Sequence, residues 1–151
     1  MITYTIEQLR DVRPEMEVLF PAHWEEVARD RETIKLNPDW PSYFHMEDAG
    51  QVQAMIVRRD GVVIGYHVSF LKVHLHYADS LHAFTDLYFI LPEYRAGRVG
   101  INLFKEVEKA WKARGVKKAF TGTKCSADKS RIFEHLGWSR TEYLYTKVLG
   151  E

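Results

Sequence analysis

The chain has 151 residues, the length of one domain, and can bury about two-thirds of its unfolded surface without help from a metal or disulfide. Apolar residues make up 46%, charged residues 28% and aromatic residues 13%, which excludes a disordered or collagen-like chain. The 21 Lys+Arg balance 21 Asp+Glu, so no global field would draw in nucleic acid or an anionic membrane.

The single Cys125 excludes an internal disulfide and a Cys-based zinc cage. No apolar run reaches spanning length, and the first residues, MITYTIEQLRD, lack the apolar stretch of a signal peptide. The expectation is a soluble cytoplasmic protein.

In chain order, residues 2–6 read as a short strand. Thr5 with Gln8 fits a capping box before a helical stretch. Pro14 suits the first turn of a further helix, Pro21 interrupts it, and residues 23–32 resume as helix. Residues 36–50 carry Pro38, Pro41 and Gly50 and read as a loop whose aromatic residues staple it to the core.

Residues 52–58 form a strand, and Asp60-Gly61 is a two-residue hairpin signal. Residues 62–77 make a long strand in which Gly65 marks a bulge. Residues 78–80 turn the chain into a strand over 81–91. After Pro92 the period switches. Ile101, Phe104, Val107, Ala110 and Trp111 recur at helical spacing, and Gly115 closes that helix. A strand over 116–123, a short helix over 127–138 and a last strand over 142–149 complete a single mixed α/β domain.

The chemistry concentrates in DLYFILPEYRAGRVGINLF, residues 86–104. A buried strand ends in Pro92, passes a tight basic loop and enters an amphipathic helix. Such a junction suits an anion: the first helical amides point outward unpaired, and the helix dipole adds positive potential. Gly97 allows close backbone approach, and Arg95 and Arg98 add charge-assisted donors. A phosphate or pyrophosphate is the fitting guest, although many helices start this way without one.

Pro92-Glu93-Tyr94-Arg95, followed by Gly100 and an apolar helix, resembles motif A of the GNAT acyltransferase superfamily. That family's Arg/Gln-x-x-Gly-x-Gly/Ala loop reads here Arg95-Ala96-Gly97-Arg98-Val99-Gly100. The first and last positions match, while Arg98 stands where the family has its middle glycine. SRIFEHLGW (130–138) is similar to the family's late helix.

The resemblance covers nearly the whole of residues 1–151. It implies a GNAT-like fold, a mostly antiparallel central sheet of about six to seven strands flanked by about four helices. Residues 81–138 would form the acyl-CoA-binding core and residues 7–50 the variable acceptor side, where Trp24, Trp40, Tyr43 and Phe44 are candidates to line the pocket. Acetyl-CoA is the implied donor. Its pyrophosphate would lie on Arg95, Ala96, Gly97, Arg98, Val99, Gly100 and Ile101, and its pantetheine arm along the backbone of Tyr88, Phe89 and Ile90. Ser126 aligns with a family Asn that bonds the cofactor, and Lys129 and Arg131 are further candidates for a phosphate.

The implied reaction is direct attack of an amine on the thioester in one ternary complex. The amine must lose a proton to attack, and Asp86 is the first candidate base, on the same strand face as Ile90 by parity. Its other reading is a strand-end acid paired with an Arg. His82 is a second candidate. The family's late-helix Tyr, which protonates the leaving thiolate, aligns with Phe133, so Tyr143, Tyr145 and Ser126 are the alternative donors. The acceptor would be an amine on a small molecule or a protein. Homodimerisation is compatible with the sequence, and nucleic acid and membrane partners are not expected.

His74 and His76 share a strand face in the H-x-H pattern, but lack an assured third ligand. No metal site is expected. Cys125 reads as a small hydrophobe rather than an acyl carrier. A catalytically degenerate GNAT-fold protein that binds CoA or a protein partner is the alternative function, motivated by Phe133 and the altered loop.

Overall fold

The computed structural model describes residues 1–150. Five strands run β1 (Ile2–Ile6), β2 (Val52–Arg59), β3 (Val62–His74), β4 (Tyr77–Ile90) and β5 (Lys118–Phe120). They form one sheet in that same order. Neighbours are antiparallel except the parallel pair β4–β5. Helices α1 (Leu9–Val27) and α2 (Trp40–Asp48) contribute to the apolar cluster on one face of the sheet. Helix α3 (Val99–Ala113) contributes to the cluster on the other face. Helix α4 (Ser130–His135) packs beside α3 through Phe133 and Phe104, with ring centroids 5.1 Å apart. Among the described residues, no helix is long and apolar enough to cross a membrane.

Several expectations are corrected. Helix α1 is continuous through Pro14 and Pro21 and ends at Val27. Its buried Leu9, Val12, Met16, Leu19, Phe20 and His23 make an unbroken apolar stripe, and burying that stripe outweighs the hydrogen bonds the two prolines remove. Gln8 is its N-cap without a side-chain bond, so the capping box does not form, and Thr5 bonds the Glu7 carboxylate instead.

Residues 40–48 are a helix, not a loop. The Asp39 carboxylate accepts from the Ser42 N–H at 3.1 Å, and Pro41 lies in the first turn, where its missing N–H costs nothing. The aromatic staple does form. Phe20 and Trp40 stack at 6.1 Å, and Tyr43 and Phe44 pack against the same cluster.

The hairpin at Asp60-Gly61 has positive φ at both residues, 49° and 87°, the twist a two-residue connection requires. The β2–β3 register shifts beside Gly65, as a bulge there predicts. Chain reversal after β3 occurs at Leu75-His76, so His76 is a turn residue. Residues 78–80 are taken up by a register shift inside β4.

The strand expected over 142–149 is absent, and the sheet has five strands. Tyr143, Leu144 and Tyr145 are 78–89% exposed. A strand's backbone needs a partner, and β5, with only three residues, offers almost no edge.

Candidate active site

The sheet parts in the middle of β4. His82, Ala83 and Phe84 pair with Lys118, Ala119 and Phe120. Beyond Phe84, β4 continues to Ile90 paired only with β3. The edge of residues 85–90 that would face a longer β5 is therefore open, and the Tyr88 hydroxyl spans the gap to donate to the Gly122 carbonyl at 2.6 Å.

At the end of this edge, Leu91 leads into a 3-10 turn, Pro92–Tyr94, then residues 95–98 and α3. Gly97 has φ 84°, a conformation that L side chains adopt only with strain. The first intrahelical bond runs from the Asn102 N–H to the Arg98 carbonyl at 2.8 Å. The amides of Val99, Gly100 and Ile101 precede it and have no acceptor within the helix. A Cβ on Gly100 would meet Ile132 Cδ1 at 3.2 Å, so this glycine lets α4 close on the start of α3.

The two loop arginines differ. Arg95 donates from Nε to the Ile90 carbonyl at 2.8 Å and from Nη1 to Glu26 of α1 at 3.0 Å, and its guanidinium lies 5.2 Å from the centre of the Phe89 ring. Lys129 reaches the same Glu26 at 3.1 Å. Burial pushes the Glu26 carboxyl up, but the two cations outweigh it and hold it below its ordinary value. The Arg95 and Lys129 side chains are therefore occupied in tying the loop and α4 to α1. Arg98, by contrast, is exposed at the N-cap of α3, where a cation can meet an anion on the helix terminus. Ala96 and Ser126 are also exposed.

Asp86 owes its direction to a second irregularity. Val68 pairs with Leu87 and Ser69 with Thr85, so Asp86 is an extra residue bulged out of β4. This overturns the parity argument. Ile90 packs into the α3-side cluster, whereas the Asp86 carboxylate turns to α2 and accepts from the Tyr43 hydroxyl. Loss of surrounding water raises its pKa, and the Tyr43 hydrogen bond pulls the other way. The result is a carboxylate with surface access that binds a proton more readily than an ordinary Asp.

Behind the open edge the core buries two histidines. His23 of α1 and the Tyr66 hydroxyl lie 2.8 Å apart, and His23 stacks on Phe89 at 4.7 Å. His67, paired with Tyr88, is fully buried. Desolvation lowers His23 to about 4 and His67 to about 3, so both are neutral at pH 7.

Comparison with known proteins agrees with this geometry. The model of the Acetyltransferase (GNAT) family matches residues 9–138. The chain belongs to the GNAT acetyltransferase family. No curated protein matches. Many solved structures share the fold, among them three acetyltransferases at low identity. A ribosomal-protein-alanine N-acetyltransferase from Brucella melitensis biovar Abortus 2308 is 13% identical, with TM-score 0.72 and full coverage of both chains. An aminoglycoside acetyltransferase from an uncultured soil metagenomic sample is 14% identical, with TM-score 0.76, covering 100% of this chain and 99% of that one. An aminoglycoside N-acetyltransferase in complex with CoA is 16% identical, with TM-score 0.69 and 99% coverage of each. The protein is thus a GNAT acetyl-CoA-dependent N-acetyltransferase.

Within this GNAT fold the candidate residues separate. Tyr88–Ile90, the 95–101 loop and Asp86 converge on the parted strands. Tyr143 does not: it lies exposed on the irregular tail. His82 is buried, with Nε2 2.9 Å from Ser80 Oγ. Phe133 is buried and packs edge-on to Phe104 and Tyr88. His74 and His76 bond each other, with the His76 N–H donating to His74 Nδ1. Among the described residues no group of three metal-ligating side chains converges.

Sequence reasoning overlooked Tyr43 as the partner of Asp86, Glu26 as the partner of Arg95, and the Tyr88 side chain. The Asp39–Pro41 helix start was the available signal for Tyr43. Glu26 had none, because its partner is 69 residues away.

Proposed function

We propose that the chain acetylates a primary amine by direct attack within one ternary complex, with Asp86 as the base. The observation that carries this reading is the bulge that turns Asp86 away from the α3-side cluster and holds it against Tyr43, beside the open edge of β4. The chain's groups fit acetyl-CoA: unpaired amides at Val99–Ile101 and the exposed Arg98 suit its diphosphate, and the free β4 backbone at residues 88–90 suits the amides of its pantetheine arm. When bound, acetyl-CoA supplies the activated acyl carbon.

Asp86 takes a proton from the incoming ammonium or amine, directly or through a water, and its raised pKa improves it as a base near neutral pH. Tyr43 fixes the carboxylate. The open β4 edge presents main-chain N–H groups, the donor type that stabilises a tetrahedral oxyanion. The acceptor approaches from the α2 side, toward which Asp86 turns, and is an amine on a small molecule or a protein.

The structural neighbours named for aminoglycosides and for ribosomal-protein alanine define the first panel. Purified protein is assayed with acetyl-CoA and aminoglycosides or alanine-bearing ribosomal peptides, with thiol release and product mass as readouts. Acetylated product with wild type, and a loss of about 10²–10⁴-fold with Asp86→Asn at unchanged CoA affinity, support the reading. Absence of CoA binding by calorimetry overturns it.

Phe133, which has no hydroxyl, favours a second reading: a protein that binds CoA without turnover. Binding without thiol release across the whole panel would select it. Homodimerisation through the exposed Tyr143, Leu144, Tyr145, Val148 and Leu149 is tested by sedimentation.

A further inference from the structure

The proposed reaction leaves a charge unattended, and the role assigned to Tyr88 rests on that acyl-transfer reading. As the tetrahedral adduct collapses, the electron pair of the C–S bond stays on sulfur. Phe133 offers no donor. Tyr143 and Tyr145 are exposed on the tail, and Ser126 is exposed in its loop. The Thr123 hydroxyl accepts from the Lys129 N–H at 2.7 Å and donates to the Ala127 carbonyl at 3.4 Å.

The Tyr88 hydroxyl lies between the parted strands. Tyr88 is halfway along the open edge, two residues from Ile90 at the loop end and two from Asp86, or roughly 6–7 Å of strand each way. Its hydroxyl reaches across to the Gly122 carbonyl at 2.6 Å. Its ring is clamped edge-on by Phe104 at 5.3 Å and Phe133 at 5.9 Å. Because Asp86 is bulged, the two groups address opposite faces of β4: the base faces α2 and the Tyr88 hydroxyl faces α3 and α4. The nucleophile and the leaving group diverge from one tetrahedral carbon, so a base and a sulfur donor can approach it from different sides.

We infer that the Tyr88 hydroxyl holds the departing sulfur by a hydrogen bond, doing from β4 what Phe133 on α4 cannot. In the step, the amine nitrogen forms the C–N bond, its proton passes to Asp86, and the C–S pair leaves on sulfur. Rotation about the Tyr88 C–O bond redirects its proton from the Gly122 carbonyl to the thiolate, a stronger acceptor than a neutral oxygen. Tyr88 stays protonated throughout. Burial pushes its ionisation up to about 12, which suits a donor that does not give its proton away. The thiolate departs with CoA, and Asp86 returns its proton to water.

The test uses bound CoA and needs no acceptor. The ultraviolet thiolate band of CoA bound to the full chain is titrated against pH, with the desulfo-CoA complex subtracted to remove protein absorbance. The thiol is expected to ionise about one pH unit lower in wild type than in Tyr88→Phe. Adding Phe133→Tyr to Tyr88→Phe is expected to recover part of that difference. Tyr88→Phe is also expected to weaken CoA more than desulfo-CoA. Identical thiol titrations, or equal losses for the two ligands, overturn the inference and make Tyr88 a strut. Failure of the wild type to bind either ligand instead refutes the underlying donor-site reading.

Discussion

The two halves of β4 are one continuous strand with different neighbours. Tyr77–Phe84 lies against β3 on one side, and its last three residues also pair with β5 on the other. Thr85–Ile90 keeps β3 but loses β5. The paired half closes with Phe84 and Phe120 stacked at 5.0 Å. The open half is backed by buried histidines and aromatic rings, and beside it stand a bulged carboxylate and a glycine-containing loop. An exposed strand edge is ordinarily a hazard. Here it is short, and Arg95, Glu26 and Tyr88 brace its surroundings, so it remains available to a ligand.

The largest expected difference between the halves is in turnover. Asp86→Asn is expected to reduce kcat by about 10²–10⁴-fold. The folded-state pKa of Asp86 is raised, so its charged form costs stability above that pKa and the cost disappears as pH falls through it. Asp86→Asn is therefore also expected to raise Tm at pH 7, with the gain fading under acid. Tyr43→Phe removes a bond to the carboxylate and is expected to shift the acid limb of the kcat/KM profile to higher pH.

Next comes the buried backing. His23 and His67 ionise in the unfolded chain near the ordinary histidine value but resist protonation when folded. Over the window from about 6.5 down to about 4 the unfolded state binds protons that the native state excludes, so stability falls as pH falls. The slope is up to about 1.4 kcal/mol per pH unit for each histidine. Denaturant titrations from pH 7 to pH 4 check this, and His67→Gln is expected to flatten the slope.

The loop arginines sharpen the contrast between holding the site and using it. Arg95→Ala strips the Ile90 carbonyl and leaves Glu26 with Lys129 alone, a cost of about 1–3 kcal/mol in stability. Arg98→Ala is expected to leave stability within about 0.5 kcal/mol and to weaken CoA by about 3–10-fold by calorimetry, the scale of one exposed ionic contact at a helix terminus. Equal effects from the two substitutions would erase the distinction. Between them, Gly97→Ala places a Cβ at positive φ and is expected to cost about 1 kcal/mol.

How legible the molecule was from its sequence depended on the range of each interaction. The hairpin at Asp60-Gly61, the α3 stripe from Ile101 to Trp111 and the strand–loop–helix junction at residues 86–104 are local patterns, and all three appear in the fold. The order Arg95-Ala96-Gly97-Arg98-Val99-Gly100 was enough to point to a GNAT domain. Misreadings arose where a local rule met a distant force. Pro14 and Pro21 failed to break α1 because its buried stripe runs the whole length. Residues 142–149 have strand chemistry but no adjacent edge. Asp86 was assigned to the wrong face because alternation holds only in a regular ladder, and the extra residue appears only when β4 is paired with β3.

The sequence by itself determined the α/β class and the strand–loop–helix junction, because those depend on glycine, helix termini and periodicity within some twenty residues. The donor entered through the resemblance of residues 92–100 to the GNAT motif. Tertiary structure alone decided that Arg95 braces while Arg98 stays free, that Asp86 faces Tyr43, and that the Tyr88 hydroxyl stands between parted strands. Each of those outcomes joins groups more than thirty residues apart or depends on the absence of a neighbour, and neither condition leaves a mark in local spacing.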